Sequence, residues 1–419
     1  MNAAHDLQQQ RGQLINGERL WASLMELAQL GATVKGGVCR LALTDLDRQA
    51  RDIFVRWCED AGCTVSVDAV GNIFARRPGR NPDLPPVMTG SHIDTQPTGG
   101  KFDGCFGVLA GVEVLRTLND LNIETDAPLE VVVWTNEEGS RFPPCMMGSG
   151  VFAGKFDLDE TLSKVDEQGL SVGAELQRIG YAGNRPVLGH PVGAYFEAHI
   201  EQGPVLEQAN VPLGVVSGIQ GVRWYQVTCH GVSAHAGTTP MTLRQDAMTL
   251  AREQLAIIEQ AMGDTADDEL RLTFGRWQVM PNAINTIPSS VRFTLDFRHP
   301  SAETLARFDA VIASLASEQV SIELLLNKAP VTFDAGINHT LQAAGNALDI
   351  AHMELLSGAF HDAMYLAELC PTSMLFVPSH QGISHNPAEY TDPRSLAAGA
   401  RTLACALTEL SQSFEGVKS

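Results

Sequence analysis

Basic residues are scarce in this chain. Its 419 residues hold 29 Lys and Arg against 49 Asp and Glu, a formal charge of −20. A chain so acidic is poorly suited to nucleic acid or to an anionic membrane surface. Long apolar runs are also missing. No stretch reaches the roughly 18 uninterrupted apolar residues of a membrane span. The polar opening MNAAHDLQQQRGQLINGERL has no basic segment followed by an apolar one, so no secretory signal is expected. The eight cysteines, at 39, 58, 63, 105, 145, 229, 370 and 405, form no CxxC pair. Reduced, buried thiols in a cytoplasmic protein are the expectation. No GxxxxGKS/T loop occurs, and Gly148-Ser149-Gly150 with Gly154 misses the GxGxxG spacing. Phosphate-loop and dinucleotide chemistries therefore lack their motifs.

What is present is an ordinary globular composition, long enough for two or three domains. Residues 14–30 and 45–61 repeat apolar residues at helical spacing, with Asn16 as cap of the first and Ile53, Phe54, Trp57 and Cys58 as the stripe of the second. Short β-rich runs follow at 64–68, 72–76 and 87–90, then a helix at 106–118 and a continuous apolar strand at 129–135. This alternation predicts an α/β sheet. Near residue 215 the pattern changes. A strand at 222–230, a helix at 240–262, strands at 270–279 and 290–297, a helix at 301–317 and a strand at 320–326 follow the order of a ferredoxin-like split βαβ unit. The α/β texture then resumes, with helices at 338–349 and 361–369, a strand at 373–377 and a last helix at 393–412. The reading is a discontinuous α/β domain, 1–214 and 329–419, with a second domain, 215–328, inserted in it.

Three short segments concentrate metal-type side chains. Gly90-Ser91-His92-Ile93-Asp94 leaves a strand, and Gly99-Gly100 lets the loop turn back to present Asp103. Asn136-Glu137-Glu138 leaves the apolar strand 129–135. Two adjacent carboxylates at a buried strand end are costly unless a cation or a proton offsets them. His199 in AHIEQG and His385 in GISHNP complete the set. In an open α/β sheet, sites are built at the carboxyl ends of strands. Mixed imidazole and carboxylate donors suit zinc, and also manganese or cobalt.

The segments GSHIDTQPTGGKFDG, TNEEGSRF, EAHIEQGPVLE, GVSAHAGTTPM, PNAINTIP, DFRHP and GISHNPAEYT resemble those of the amidase/hydantoinase/carbamoylase branch of the M20 metallopeptidase family, in order, from about residue 20 to 410. That branch contains N-carbamoyl-L-amino-acid hydrolases, β-ureidopropionases and allantoate amidohydrolases. The resemblance implies a catalytic α/β domain with a central mixed sheet and an inserted ferredoxin-like α+β domain for lid and dimer contacts. It implies two divalent metal ions per subunit (zinc, manganese, cobalt or nickel). His92, Asp103 and His199 would hold one, and Asp103, Glu138 and His385 the other. Glu137 would be the general base, and Asp94 would orient the His92 ring by a hydrogen bond. His235 would polarise the scissile carbonyl, reaching the site from the partner of a homodimer. Arg298 would bind the substrate carboxylate through its planar fork. Gln202, Asn282 and His361 would add polar contacts. Phe360 stands where the family usually has Gly.

The resulting expectation is a cytoplasmic amidohydrolase that cleaves N-carbamoyl-L-amino acids to amino acid, ammonia and carbon dioxide. Its partners would be a small ureido substrate bearing a carboxylate and a second copy of the chain. Allantoate and 3-ureidopropionate are the alternative substrates. The Asp-Thr-Gln-Pro and Val-Val-Val-Trp stretches lean towards carbamoylases and ureidopropionases. Peptidase activity is disfavoured because His199 stands where peptidases usually carry a carboxylate. A non-catalytic binding protein of the same fold is the remote alternative.

Overall fold

The computed structural model describes residues 15–262, 267 and 269–412. The polar opening and Leu14, where the first expected helix starts, lie outside the described residues. The chain divides into two compact units, one running to Ser217 and again from Thr332, the other Gly218–Val331. The sequence places these breaks at 214/215 and 328/329. Strands are β1 (Thr64–Val67), β2 (Ile73–Arg77), β3 (Val87–His92), β4 (Leu129–Trp134), β5 (Ala194–Ile200), β6 (Leu213–Ile219), β7 (Gly221–His230), β8 (Arg271–Met280), β9 (Ser290–His299), β10 (Val320–Lys328), β11 (Val331–Thr332), β12 (His352–Ser357) and β13 (Thr372–Val377).

The large sheet has the order β1-β2-β4-β3-β5-β13-β6-β11, with β12 on β6. It is mixed. β3 runs parallel to both β4 and β5, and β5 parallel to β13, so four neighbouring strands end on the same side. β2 and β6 pair antiparallel at either flank of that group. Every residue of β4 is buried, as a strand covered on both faces requires. Helices Gly17–Leu27 and Asp45–Asp60 begin where Asn16 and Thr44 cap them, each side chain accepting a main-chain N–H three residues on. Helix Cys105–Asp120 is buried on nearly all sides, and helix Pro393–Gln412 packs with it. The central helix approaches the sheet closely at Gly107. A Cβ there would stand 2.2 Å from the Ala198 carbonyl oxygen of β5.

The second unit is one antiparallel sheet, β10-β7-β9-β8. Helices Ala247–Met262 and Ala302–Ser314 share a core with it, where Phe297 stacks on Phe308 at 4.0 Å between centroids. Strand-helix-strand-strand-helix-strand in this spatial order is the expected ferredoxin-like topology. The helix expected from 240 is interrupted. A short turn at Met241–Leu243 precedes a helix that starts at Ala247, because Asp246 accepts the Met248 N–H at 2.9 Å and restarts it. The helix expected at 361–369 shrinks to Ala363–Leu366. β5 was not foreseen as a strand because Glu197 and His199 break its apolar run. Both are satisfied inside: Ser91 donates to Glu197 at 2.8 Å, and His199 donates to the Ile200 carbonyl at 2.9 Å. No disulfide joins any of the eight cysteines, and six are buried. Among the described residues no helix is long and apolar enough to cross a membrane.

The Gly107 contact generates a test. Overpacking a close helix–sheet contact costs about 1–3 kcal/mol, so Gly107→Ala should lower the thermal midpoint of the purified protein. An unchanged midpoint would mean that the central helix moves off β5 without penalty.

Candidate active site

The parallel strands deliver their ends to one place. His92, the last residue of β3, is in register with Trp134, the last of β4. Beyond Trp134 the chain reaches Glu137 and Glu138. His199 lies near the end of β5, opposite Phe376 of β13. Asp103 comes from the loop before helix Cys105–Asp120, and His385 from the loop after β13. Asn136, Gln202 and His385 hold left-handed backbone, with φ of 55°, 59° and 53°. Such residues are uncommon outside glycine and cluster at functional turns. Asn136 is pinned there by donating to the Phe142 carbonyl at 2.7 Å.

Asp103 is common to two groups of donors. His92, Asp103 and His199 bring ligand atoms within 4.8 Å of one another, and so do Asp103, Glu138 and His385. His92 Nε2 lies 3.6 Å from Asp103 Oδ1 and 3.4 Å from Glu137 Oε2. His199 Nε2 lies 3.2 Å from Asp103 Oδ1. His385 Nε2 lies 3.3 Å from Asp103 Oδ2 and 3.5 Å from Glu138 Oε2. The first two rings have a defined tautomer when neutral. Nδ1 of His92 donates to the Asp94 carbonyl at 2.9 Å, and Nδ1 of His199 to the Ile200 carbonyl at 2.9 Å. A carbonyl only accepts, so each ring turns its Nε2 lone pair towards Asp103, and that of His199 also accepts the Gly104 N–H at 3.1 Å. Lone pairs facing carboxylate oxygens at these separations need a cation between them, a proton or a metal. The donor set fits a divalent metal of the zinc or manganese type.

The electrostatics agree. Burial pushes the Glu137 carboxyl well above its usual range, and the pull of His92 only partly offsets this. Burial and the nearby Asp103 raise Glu138 to about 7. Burial works against the Asp103 carboxylate too, but His199, His385 and His92 crowd it and hold it well below the usual range. Its hydrogen bond to Asp103 raises His385 to about 9.

The remaining predicted residues fall into place unevenly. Asp94 reaches His92 through its main-chain carbonyl. Its carboxylate is 3.9 Å from the ring and instead accepts the Glu137 and Glu138 N–H groups at 3.2 and 3.3 Å. The hydrogen bond expected between Asp94 and the His92 ring is thus made by the main chain, while two N–H donors claim the carboxylate. Gln202 donates to Asp103 Oδ2 at 2.9 Å. His361 is 2% exposed, and its ring meets that of His199 edge-on at 4.5 Å. It thus lies against a candidate ligand. The backbone at Phe360 is not left-handed, so a side chain is accommodated there. His235, Asn282 and Arg298 belong to the second unit. His235 Nδ1 accepts the Gly237 and Thr238 N–H groups at 3.0 and 3.3 Å, leaving Nε2–H as a donor. Asn282 is exposed with φ of 59°. Arg298 grips Asp296 through two nitrogens at 3.0 and 2.9 Å. Two supporting residues escaped the sequence reading although their motifs were in view. Gln96 of Asp-Thr-Gln-Pro donates to Glu138 Oε2 at 2.7 Å. Glu389 of GISHNPAEYT is buried and accepts the Asp103 N–H at 3.2 Å.

Residues 88–409 match the model of Peptidase family M20/M25/M40. An N-carbamoyl-L-amino-acid amidohydrolase of Rhizobium meliloti is 44% identical over 411 residues, 96% of this chain and 98% of the relative. An allantoate amidohydrolase of Bacillus subtilis (strain 168) is 36% identical over 395 residues, 92% of this chain and 95% of the relative. A crystal structure of a hydantoinase/carbamoylase-family amidase from Burkholderia multivorans superposes with a TM-score of 0.91 at 50% identity, covering 96% of this chain and 99% of that one.

The pKa shifts predict how metal-free protein responds to pH. Glu138 has a folded pKa of about 7, above its unfolded value near 4.5. The stability of its protonated form is full at low pH and lost as pH climbs towards 7. The cationic His385 contributes fully below about 6.5 and loses its contribution as pH rises through about 9. Chelator-treated protein should therefore melt at lower temperature at pH 9 than at pH 6.5. A midpoint that rises over this window would contradict the assigned electrostatics.

Proposed function

The chain belongs to peptidase family M20/M25/M40, and from that premise we propose that it is a metal-dependent amidohydrolase acting on N-carbamoyl-L-amino acids. One observation carries the reading. Asp103 joins two donor groups, and Glu137 stands against them without belonging to either. His92, Asp103 and His199 would hold one divalent cation, and Asp103, Glu138 and His385 a second, of zinc, manganese, cobalt or nickel. Bound there, such cations supply the positive charge that polarises a carbonyl and makes water easier to deprotonate.

The chain's own residues do the rest. The substrate's ureido carbon is attacked by water, and Glu137 takes the proton. Burial suits Glu137 to that task, because a base in a dry pocket holds its proton more tightly than a surface carboxylate does. Glu137 then returns the proton to the departing nitrogen, and ammonia leaves. The carbamate that remains loses carbon dioxide and frees the amino acid. Asp94 keeps Glu137 and Glu138 in place through their main-chain N–H groups. Gln202 restrains Asp103. The roles proposed for His235 as oxyanion donor, Asn282 as polar contact and Arg298 as carboxylate anchor rest on the sequence resemblance. The donor Nε2–H of His235 suits the first of them. The same resemblance supports a homodimer formed through the inserted unit, and the cytoplasm as its location.

The similarity to an allantoate amidohydrolase keeps allantoate as a second reading at the same site, with 3-ureidopropionate beside it. A hydrolysis panel after metal loading decides among them. N-carbamoyl-L-amino acids should be the best substrates, and a preference for allantoate over all of them would overturn the proposal. Glu137→Gln should retain bound metal while kcat falls by about 10²–10⁴, the scale of a lost general base. Turnover near that of the parent would remove Glu137 from the mechanism.

A further inference from the structure

Glu389 has no place in the proposed chemistry, yet it is 4% exposed and sits beside the shared ligand. One carboxylate oxygen, Oε1, accepts both the Phe102 N–H at 2.9 Å and the Asp103 N–H at 3.2 Å. The other, Oε2, lies 3.2 Å from the Ser384 hydroxyl, which is also 3.0 Å from Asp103 Oδ2. Ser384 immediately precedes His385. Tyr390, the next residue, sets its ring against that of Phe102 at 6.3 Å, edge to face. Two adjacent residues of the His385 loop thus clamp two adjacent residues of the Asp103 loop, by hydrogen bonds and by ring packing. The space for this is made by Gly100. A Cβ there would stand 2.0 Å from the Glu389 carboxyl carbon.

We propose that Glu389 is a positioning residue that locks the Asp103 loop to the His385 loop, so that one carboxylate serves both donor groups. The inference rests on the metal-centre reading above. The two N–H groups on Oε1 fix the main chain at Asp103 and therefore the direction in which its carboxylate leaves the backbone. The Ser384 bridge fixes the distance of that carboxylate from His385. Without the clamp the two loops, almost three hundred residues apart in sequence, are left with the weaker bridge of Gln202, which donates to Asp103 Oδ2 at 2.9 Å and to the Ser384 hydroxyl at 3.3 Å, and with the ligands themselves. Supporting hydrogen bonds of this kind are worth about 10–100-fold in metal affinity.

The test uses full-length protein stripped with chelator and titrated with Mn²⁺ alone, free Mn²⁺ being read by electron paramagnetic resonance. Glu389→Met keeps the volume and removes both acceptors. Its Mn²⁺ affinity should fall about 10–100-fold, and kcat should fall with little change in KM. Glu389→Gln keeps Oε1 as acceptor and should stay within about threefold of the parent affinity, a smaller change than the loss of a supporting group. Glu389→Met matching the parent, or Glu389→Gln as impaired as Glu389→Met, would overturn the proposal. If circular dichroism shows Glu389→Met unfolded, Ser384→Ala carries the test. Weaker Mn²⁺ binding is then expected, and unchanged binding overturns it. A parent chain that takes up no Mn²⁺ overturns the metal reading and this inference together. A parent that binds and a variant that equals it overturns this inference alone.

Discussion

Five carboxyl groups, Asp94, Asp103, Glu137, Glu138 and Glu389, converge where water is largely excluded, and the site is organised by their need for positive charge. Taking a carboxylate out of water is expensive unless a cation, a proton or several N–H donors replace the lost hydration. The structure supplies each compensation in turn. Asp94 and Glu389 accept main-chain N–H groups, which only partly offset their burial, so both carboxyls still lie above the usual range. Asp103 is crowded by three imidazoles, which keep it ionised. The Glu137 and Glu138 carboxyls are likewise pushed up towards the protonated form. Left to these groups, the cluster answers with protons on carboxyls and imidazoles. Divalent cations meet the same demand at the cost of releasing those protons, which is why affinity for a metal at such a site rises with pH.

That convergence depends on a backbone arrangement which the core enforces. Four parallel strands end side by side only because covering helices press on both faces of their sheet. One such close contact is at Gly107, where the central helix meets the carbonyl of Ala198, the residue before His199. Two residues before that contact the helix begins, directly after Asp103 and Gly104. Packing and ligand placement are thus coupled within a few residues: the spacing between helix and β5 sets the spacing between Asp103 and His199.

Much of this was legible in the sequence, and the reasons differ by residue. The long helices and β4 announced themselves by periodicity, because burial on one stripe or on both faces leaves an unmistakable apolar pattern. The ferredoxin-like order of the second unit was legible for the same reason. The donor groups were legible because imidazoles and paired carboxylates at strand exits have few inexpensive structural explanations. β5 escaped because its buried polar residues, Glu197 and His199, are satisfied by partners distant in sequence such as Ser91, and periodicity is blind to long-range hydrogen bonds. Asp94 was expected beside the His92 ring from the family resemblance, but which of its atoms makes the bond was not legible: the main chain at the strand exit brings its carbonyl to the ring, and its carboxylate turns to the N–H groups of Glu137 and Glu138. Glu389 and Gln96 lay within quoted motifs. Their roles became visible only when folding brought Glu389 to Asp103 and Gln96 to Glu138.

The acidic chain raises a question about an anionic substrate, and the local arrangement answers it. Charges more than about 10 Å away are largely screened at ordinary ionic strength, so the total of −20 says little about the field a small molecule meets in the site. What matters is the balance among Asp94, Asp103, Glu137 and Glu138 and whatever neutralises them. Compensated by protons alone, the site offers a carboxylate-bearing substrate no strong positive anchor. Compensated by the cations of the proposed reading, it becomes attractive at the point where a carbonyl must be polarised. Catalysis and admission of an anion then share one requirement. Within its own unit, the Arg298 guanidinium is held in a fixed plane by Asp296 through two nitrogens. If it serves as the carboxylate anchor proposed for it, it would recognise a planar carboxylate by geometry more than by attraction at a distance.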